Sequence, residues 1–375
     1  MAIAQSIIAI AQQLFFILAG FAGIGFLIGF HELGHFIFCK LFKIHTPSFS
    51  IGFGPRLIQK KIGDTIFTLS AIPFGGYVEI AGAAEVGQGE QKEAGRKDKH
   101  SFSTKPYYQK MLVMAGGILF NLIFAYVALV VLFATGIPKS PLLYPKNATT
   151  VIRAITPDSA AEQAHLQPQD KIIAINNQPV NNDHTELLNQ LEPLANKPAV
   201  IQIERNGQLF DANITLGSRE TGGKTIGTLG VEFDLMDLPP RPIGQAISEG
   251  FDVTKQLVSH TFFAFKSLFT RRTMSGVGGP LMVIQQTIKG AEKGIKIFFL
   301  LLAFISVNLA VLNVIPLPIM DGGQALFYTI EAIIRRPLPE QVRLYIHYAC
   351  WIGIVILAIY LTISDIGNIF GYLWK

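Results

Sequence analysis

Apolar residues follow two regimes along this chain. In four stretches they run on without interruption by charge: residues 1–30, 111–136, 297–320 and 344–364 contain no Asp, Glu, Lys or Arg. A helix needs roughly 20 apolar residues to cross the hydrocarbon core of a bilayer. The pattern therefore predicts spans at about 8–38, 111–136, 295–316 and 344–364. The first run lacks a basic leader, is longer than the core of a signal peptide and is followed by no cleavage signal, so we read it as a retained span.

Between the spans the pattern shortens. After span 1, β-prone Thr65–Ala71 and Tyr77–Ile80 are punctuated by Gly and Pro, which predicts short hairpins. SIGFGPRLI (Ser50–Ile58) is apolar and glycine-rich enough to dip into the membrane as a re-entrant hairpin. Residues 84–105 are polar and read as a loop. After Pro138 the chain reads as strand, turn, short helix, turn, strand. The strand positions are Val151, Ile152, Ile155, Ile172, Ile173 and Ile175, and Asp158 or Ser159 is placed to cap the helix around Ala160–Ala164. A helix at about 183–194 and strands at 199–205 and 208–216, joined by Asn206-Gly207, complete the unit. This order resembles a circularly permuted bacterial PDZ domain, with His165 and Gln169 at positions where that domain usually has Gly. Residues 243–272 form a Phe-rich amphipathic stretch expected at the membrane surface, and Met274–Pro280 a glycine-rich joint.

Composition agrees with a membrane chain. Only 15% of residues are charged, against about 25% in an average soluble domain. The net charge of +5 is mild, and no basic run interleaves with aromatics, so nucleic acid is not an expected partner. Charge instead orients the spans. Eleven Lys and Arg lie in residues 39–110, and Arg335, Arg336 and Arg343 lie between spans 3 and 4. Positive loops stay in the cytoplasm, so both loops are expected there, with 138–290 outside. Cys39 and Cys350 read as small buried hydrophobes.

The chemistry sits at the end of span 1, in His31-Glu32-Leu33-Gly34-His35. HExxH puts two imidazoles on one helix face, within reach of one metal, and a carboxylate beside them that can take a proton from the attacking water. Zinc suits this ligand set. Ionisable residues inside a membrane default to a functional reading because their burial is costly. A catalytic zinc site needs a third protein ligand, and the best candidate is Asp321 in LNVIPLPIMDGG. Pro316 and Pro318 break the helix of span 3 just before it. An N-cap role for Asp321 is a sound alternative and does not exclude metal binding. Topology checks the pairing: HELGH and Asp321 lie at the C-terminal ends of spans 1 and 3, which run in the same direction, so both fall on the cytoplasmic side at similar depth.

HExxH, a distant NxxPxPxxDG (Asn313, Pro316, Pro318, Asp321, Gly322), Gly117 to Asn121 in span 2, IGFGP, IPFGGYVEI and the PDZ-like insert together resemble the site-2 protease family of intramembrane zinc metalloproteases. The nearest branch is the bacterial regulator of sigma-E protease, here with one PDZ unit. The resemblance implies Zn2+ on His31, His35 and Asp321, Glu32 as general base, and Asn313, Asn121 and Pro316 as substrate contacts. It implies a multi-pass α-helical membrane protein of the cell inner membrane, with four spans, a small cytoplasmic β region, an extracytoplasmic α/β PDZ domain and its active site near the cytoplasmic face. The expected organisation is 1–40 (span 1), 41–110 (β region and loop), 111–137 (span 2), 138–238 (PDZ), 239–294 (amphipathic segment), 295–323 (span 3) and 324–375 (turn and span 4). Expected partners are the lipid bilayer, a peptide or C-terminus at the PDZ unit, and a single-span membrane substrate, such as an anti-sigma factor already cut by another protease. An extended substrate would add as a strand to IGFGP or Thr65–Ala71. Two other classes remain: a non-catalytic PDZ adaptor, disfavoured by the intact HELGH, and a metal transporter, whose other spans lack the needed acids and histidines.

Overall fold

The computed structural model describes residues 2–83, 93–221, 224–271 and 278–373. Helix α1 (Ala2–Leu41) leads into strands β1 (Ser48–Ile62) and β2 (Thr65–Glu79), then helix α2 (Tyr107–Thr135). Next come β3 (Ala148–Ile155), α3 (Ala160–Gln163), β4 (Lys171–Ile175), β5 (Gln178–Pro179) and α4 (His184–Leu191). Strands β6 (Pro198–Arg205), β7 (Gln208–Thr215), β8 (Gly217–Thr221), β9 (Lys224–Thr228) and β10 (Val231–Leu235) follow. Helices α5 (Ile243–Arg271), α6 (Pro280–Glu292), α7 (Ile295–Val314), α8 (Asp321–Ile334) and α9 (Glu340–Leu373) close the chain. It divides into two compact units, Met1–Ala134 with Pro242–Lys375, and Thr135–Arg241.

In the first unit, segments of α1, α2, α7 and α9 (Gln5–Leu41, Tyr107–Thr135, Ile295–Val314 and Gln341–Gly367) are long and apolar enough to cross a membrane. Helix α1 stops where Lys43 takes a left-handed φ of 55°. The Ile44 amide then reaches back to the Cys39 carbonyl (2.8 Å) and the Lys43 amide to the Lys40 carbonyl (3.1 Å), a Schellman closure that uses the last free carbonyls of the helix. Helix α7 stops because Pro316 and Pro318 have no amide hydrogen to continue it. The chain turns through residues 315–320 and restarts as α8. A side chain on Gly322 would collide with the Val314 carbonyl and one on Gly323 with the Leu317 carbonyl, so only glycine permits so tight a return.

The β region differs from expectation. SIGFGPRLI forms part of β1, which satisfies its backbone by pairing with β2. Residues 48–51 pair with 76–79 on one side and with 66–69 on the other, while 58–62 pair with 65–69. The hairpin thus folds over itself, with outer edges at 58–61 and 76–79. Residues 66–69 are paired on both sides and cannot accept another strand, contrary to the substrate position expected at Thr65–Ala71; of IGFGP, only Ile51 is paired on both sides. Phe49, Val78 and Ile80 pack with Cys39, Ile44, Phe102, Val113, Met114 and Tyr328, joining α1, the β region, α2 and α8 in one core.

The expected single amphipathic segment at 239–294 is two helices, α5 and α6. Arg272 and residues 274–277 of the expected joint lie outside the described residues, as do 84–92 of the polar loop. Helix α6 is packed inside the unit rather than laid on a surface. Thr287 and Gly290 are buried, and Ile288 meets α1 at Gly20. Its first turn donates the Gly279 and Met282 amides to the buried carboxylate of Asp365 on α9, each at 3.0 Å, which accounts for an acid inside an apolar helix.

The second unit holds an antiparallel sheet in the order β10-β3-β4-β6-β7, with β5 on β4, and a separate hairpin β8-β9. Ile152, Ile172, Val180, Leu187 and Ile201 are its fully buried centre. Ser159, rather than Asp158, caps α3 by accepting from the Glu162 amide. Asn206 and Gly207 both take positive φ in the β6–β7 turn, as an Asn-Gly hairpin requires. The helix expected at 183–194 ends at Leu191, and Pro193 sits in the 3-10 turn Glu192–Leu194 that follows.

Candidate metal centre

His31 and His35 are one turn apart on α1, and their rings meet with Nε2 atoms 3.2 Å apart. Asp321 approaches from the first turn of α8. Its Oδ2 is 3.3 Å from His31 Nε2 and its Oδ1 is 3.4 Å from His35 Nε2. Asp321 is the first helical residue and Met320 the N-cap, so its carboxylate faces the imidazoles instead of capping α8. Among the described residues these three are the one group of His, Cys, Asp and Glu whose ligand atoms converge.

Several observations test whether the three residues fit a metal. His35 Nδ1 lies 2.8 Å from the Val113 carbonyl, an acceptor only, so Nδ1 carries the hydrogen and Nε2 presents a lone pair. That lone pair faces His31 Nε2, an arrangement that repels unless a cation or proton lies between. Asp321 Oδ2 is buried without a hydrogen bond. With bonds of about 2.0–2.1 Å, a tetrahedral zinc places its ligand atoms about 3.3–3.4 Å apart, close to the three separations found here. Two imidazoles and a carboxylate are also a donor set zinc accepts.

The glycines explain how the helices come so close. A side chain on Gly34 would strike the Gly116 backbone of α2, and one on Gly117 would strike both His31 and His35. Glu32, next to His31 in the chain, lines the same site, and the Val78 amide donates to its carboxylate. A cavity of about 180 Å³ opens between these groups, lined by His31, Glu32, His35, Val78, Ile80, Met114, Asn313, Ile319 and Asp321.

Asn313, expected as a substrate contact, faces this cavity. Pro316 is exposed and outside the lining. Asn121, also expected as a substrate contact, is fully buried, with Nδ2 3.1 Å from His31 Nδ1, and is outside the cavity lining. Sequence reasoning missed the wall formed by Val78, Ile80 and Met114. It also missed Gln324, whose amide donates to the Pro318 carbonyl (2.8 Å) and to His347 Nε2 (2.6 Å), bracing the turn before Asp321. The proline pair was the available signal that this turn would need such support.

Comparison with known proteins points to the same metal. The model of peptidase family M50 matches residues 19–359. A candidate zinc metalloprotease of Clostridium perfringens is 31% identical, over 91% of this chain and 95% of its own length. One from Campylobacter jejuni is 30% identical, over 93% and 92%. The zinc metalloprotease RasP of Geobacillus kaustophilus is 27% identical, over 92% and 96%.

Proposed function

The chain belongs to peptidase family M50, and from that premise we propose that this membrane metalloprotease uses zinc to hydrolyse a peptide bond within the membrane-spanning segment of a single-span protein. The observation that carries the reading is the convergence of His31, His35 and Asp321 beside Glu32, with both histidines on a helix long enough to cross a membrane and Asp321 seven residues beyond the end of another, Val314. In this reading the three residues hold the metal, which polarises the scissile carbonyl and activates water when bound. Glu32 takes the proton of the attacking water and returns it to the leaving amine. Asn313 offers its amide to the substrate backbone inside the cavity.

A helical substrate hides its carbonyls in its own hydrogen bonds, so it must be drawn out before attack. The 76–79 segment of β2 is suited to hold it, because it is an outer strand of the β region and its Val78 lines the cavity. Phe53, Leu57, Ile58 and Ile62 leave an exposed apolar surface on β1 that suits lipid or an apolar substrate. The charge pattern supports a cytoplasmic position for the centre and an outer one for the second unit, in the inner membrane of a cell. That unit, read as a PDZ domain, binds a newly exposed C-terminus or screens substrates by size. An anti-sigma factor already shortened by another protease is one such substrate.

The test uses purified chain in detergent with a single-span model substrate, beside Glu32→Gln. Cleavage within the apolar segment, lost in the variant and on chelation, is the expected result. No cleavage by the unaltered chain, or equal cleavage by the variant, overturns the reading.

A further inference from the structure

We infer that Asn121 is the positioning residue for His31: its side-chain oxygen accepts the His31 Nδ1 hydrogen and so fixes Nε2 as the atom offered to the metal. The inference rests on the zinc reading above and concerns what makes that site competent.

The argument begins with the difference between the two imidazoles. A ligating histidine must present one nitrogen as a lone pair, and this is secured by giving the other nitrogen's hydrogen an acceptor. His35 has the Val113 backbone carbonyl in that place. His31 Nε2 is the atom that converges with His35 and Asp321, so its Nδ1 must carry the hydrogen. Among the described residues, the side chain at hydrogen-bonding distance from Nδ1 is Asn121, at 3.1 Å. A half-turn of the amide about its last bond exchanges oxygen and nitrogen in nearly the same volume. With nitrogen toward His31, Asn121 Oδ1 is buried without a partner and His31 Nδ1 has to be the lone pair, the wrong tautomer for a ligand. With oxygen toward His31, both faults are relieved.

The surrounding helix is built to hold this contact. Gly117 and Asn121 are one turn apart on α2. The missing side chain of Gly117 lets α2 lie against both rings, and Asn121 then reaches His31 from one turn further along. From the other side, Ser306 Oγ of α7 donates to the Asn121 backbone carbonyl at 2.9 Å, which fixes this part of α2 against α7. Asn121 has no solvent exposure, so its amide serves His31 and not a substrate.

The test measures zinc affinity of the full chain in detergent by competition with a chromophoric chelator, with helix content and melting recorded alongside. Outer partners of metal-bound histidines are typically worth about 10–100-fold in metal affinity, and Asn121→Ala is expected to lose that much. Asn121→Asp, which keeps an acceptor but no donor, is expected to stay within about threefold of the unaltered protein on the same principle. The inference is overturned if Asn121→Ala keeps its zinc affinity, even with a lower melting temperature, because the residue is then only a bond between helices. It is equally overturned if Asn121→Asp loses as much zinc as Asn121→Ala. Failure of the underlying reading looks different: the unaltered chain then holds no zinc that His31→Ala removes, and the inference falls with it.

Discussion

Two side chains in the second unit occupy backbone conformations that favour glycine. His165 has φ of 56° and Gln169 of 77°, and an L-residue in the left-handed region costs roughly 1–2 kcal/mol. Glycine avoids that cost but loses more entropy on folding, so His165→Gly and Gln169→Gly should each stabilise the unit by about 0.5–1 kcal/mol. Chemical unfolding followed by a probe in the β3–β4 region would check this, and a loss of stability would contradict the strain argument. Asp170, one residue on, is fully buried and takes two bonds of 2.7 Å from Arg205. Removing one partner of such a pair leaves a buried charge and costs about 3–5 kcal/mol. Arg205→Met should fall at the low end, because the Gln167 amide still serves Asp170, and the same unfolding measurement reads it. The two departures from glycine were visible in the sequence. That the backbone keeps the glycine conformation regardless was not, since nothing in the identity of a His or Gln announces a positive φ.

Elements show the same division between what pattern reveals and what packing decides. The apolar helices were legible because lipid demands a length, and HELGH because a metal demands a spacing. Asp321 was legible through its prolines, which end α7 at Val314. The wall of Val78 and Ile80 was not, because those residues reach the cavity through the fold-over pairing of 48–51 with two parts of β2, a long-range register that local alternation does not encode. The contact of α1 with α2 was hidden similarly. Gly34 reads as the spacer of the metal motif, yet its bare Cα is what admits the Gly116 backbone. Gly34→Ala should therefore push α2 away and remove zinc binding while leaving both histidines in place, measured as zinc per chain after gel filtration. Full loading of that variant would mean the helices tolerate the added methyl. In the second unit, α4 begins with buried His184, whose Nδ1 lies 3.1 Å from the Thr149 carbonyl and Nε2 3.2 Å from the Tyr144 hydroxyl. Burial pushes its pKa below the ordinary 6.5. The folded unit then binds fewer protons than the unfolded chain in that range, so its stability is intact above about 6.5 and falls as the pH drops through the folded value. Melting of the second unit across pH 5–8 would show a decline on the acid side that His184→Gln reduces.

For the whole molecule, the metal centre is a point where separate elements of one unit are tied together, whereas the second unit has a core of its own. His31 and His35 come from α1, Asp321 from α8, and Asn121 stands behind them on α2. Without a cation, the arrangement leaves a carboxylate oxygen of Asp321 buried without a hydrogen bond, which is unfavourable. A ligand that binds only the folded form stabilises it by about 4 kcal/mol when present at about a thousand times its dissociation constant. Zinc removal should therefore lower the unfolding temperature of the first unit and raise hydrogen exchange at the end of α1 and the start of α8. The second unit, centred on Ile152, Ile172 and Ile201, should keep its protection. Restoring zinc should reverse the change in the unaltered protein but not in Asp321→Ala, which has lost a ligand. Hydrogen exchange with mass spectrometry, with and without chelator, distinguishes the outcomes. Loss of protection spread evenly over both units would mean that the metal holds the whole chain together, and no change in either would remove His31, His35 and Asp321 from any structural role in metal binding.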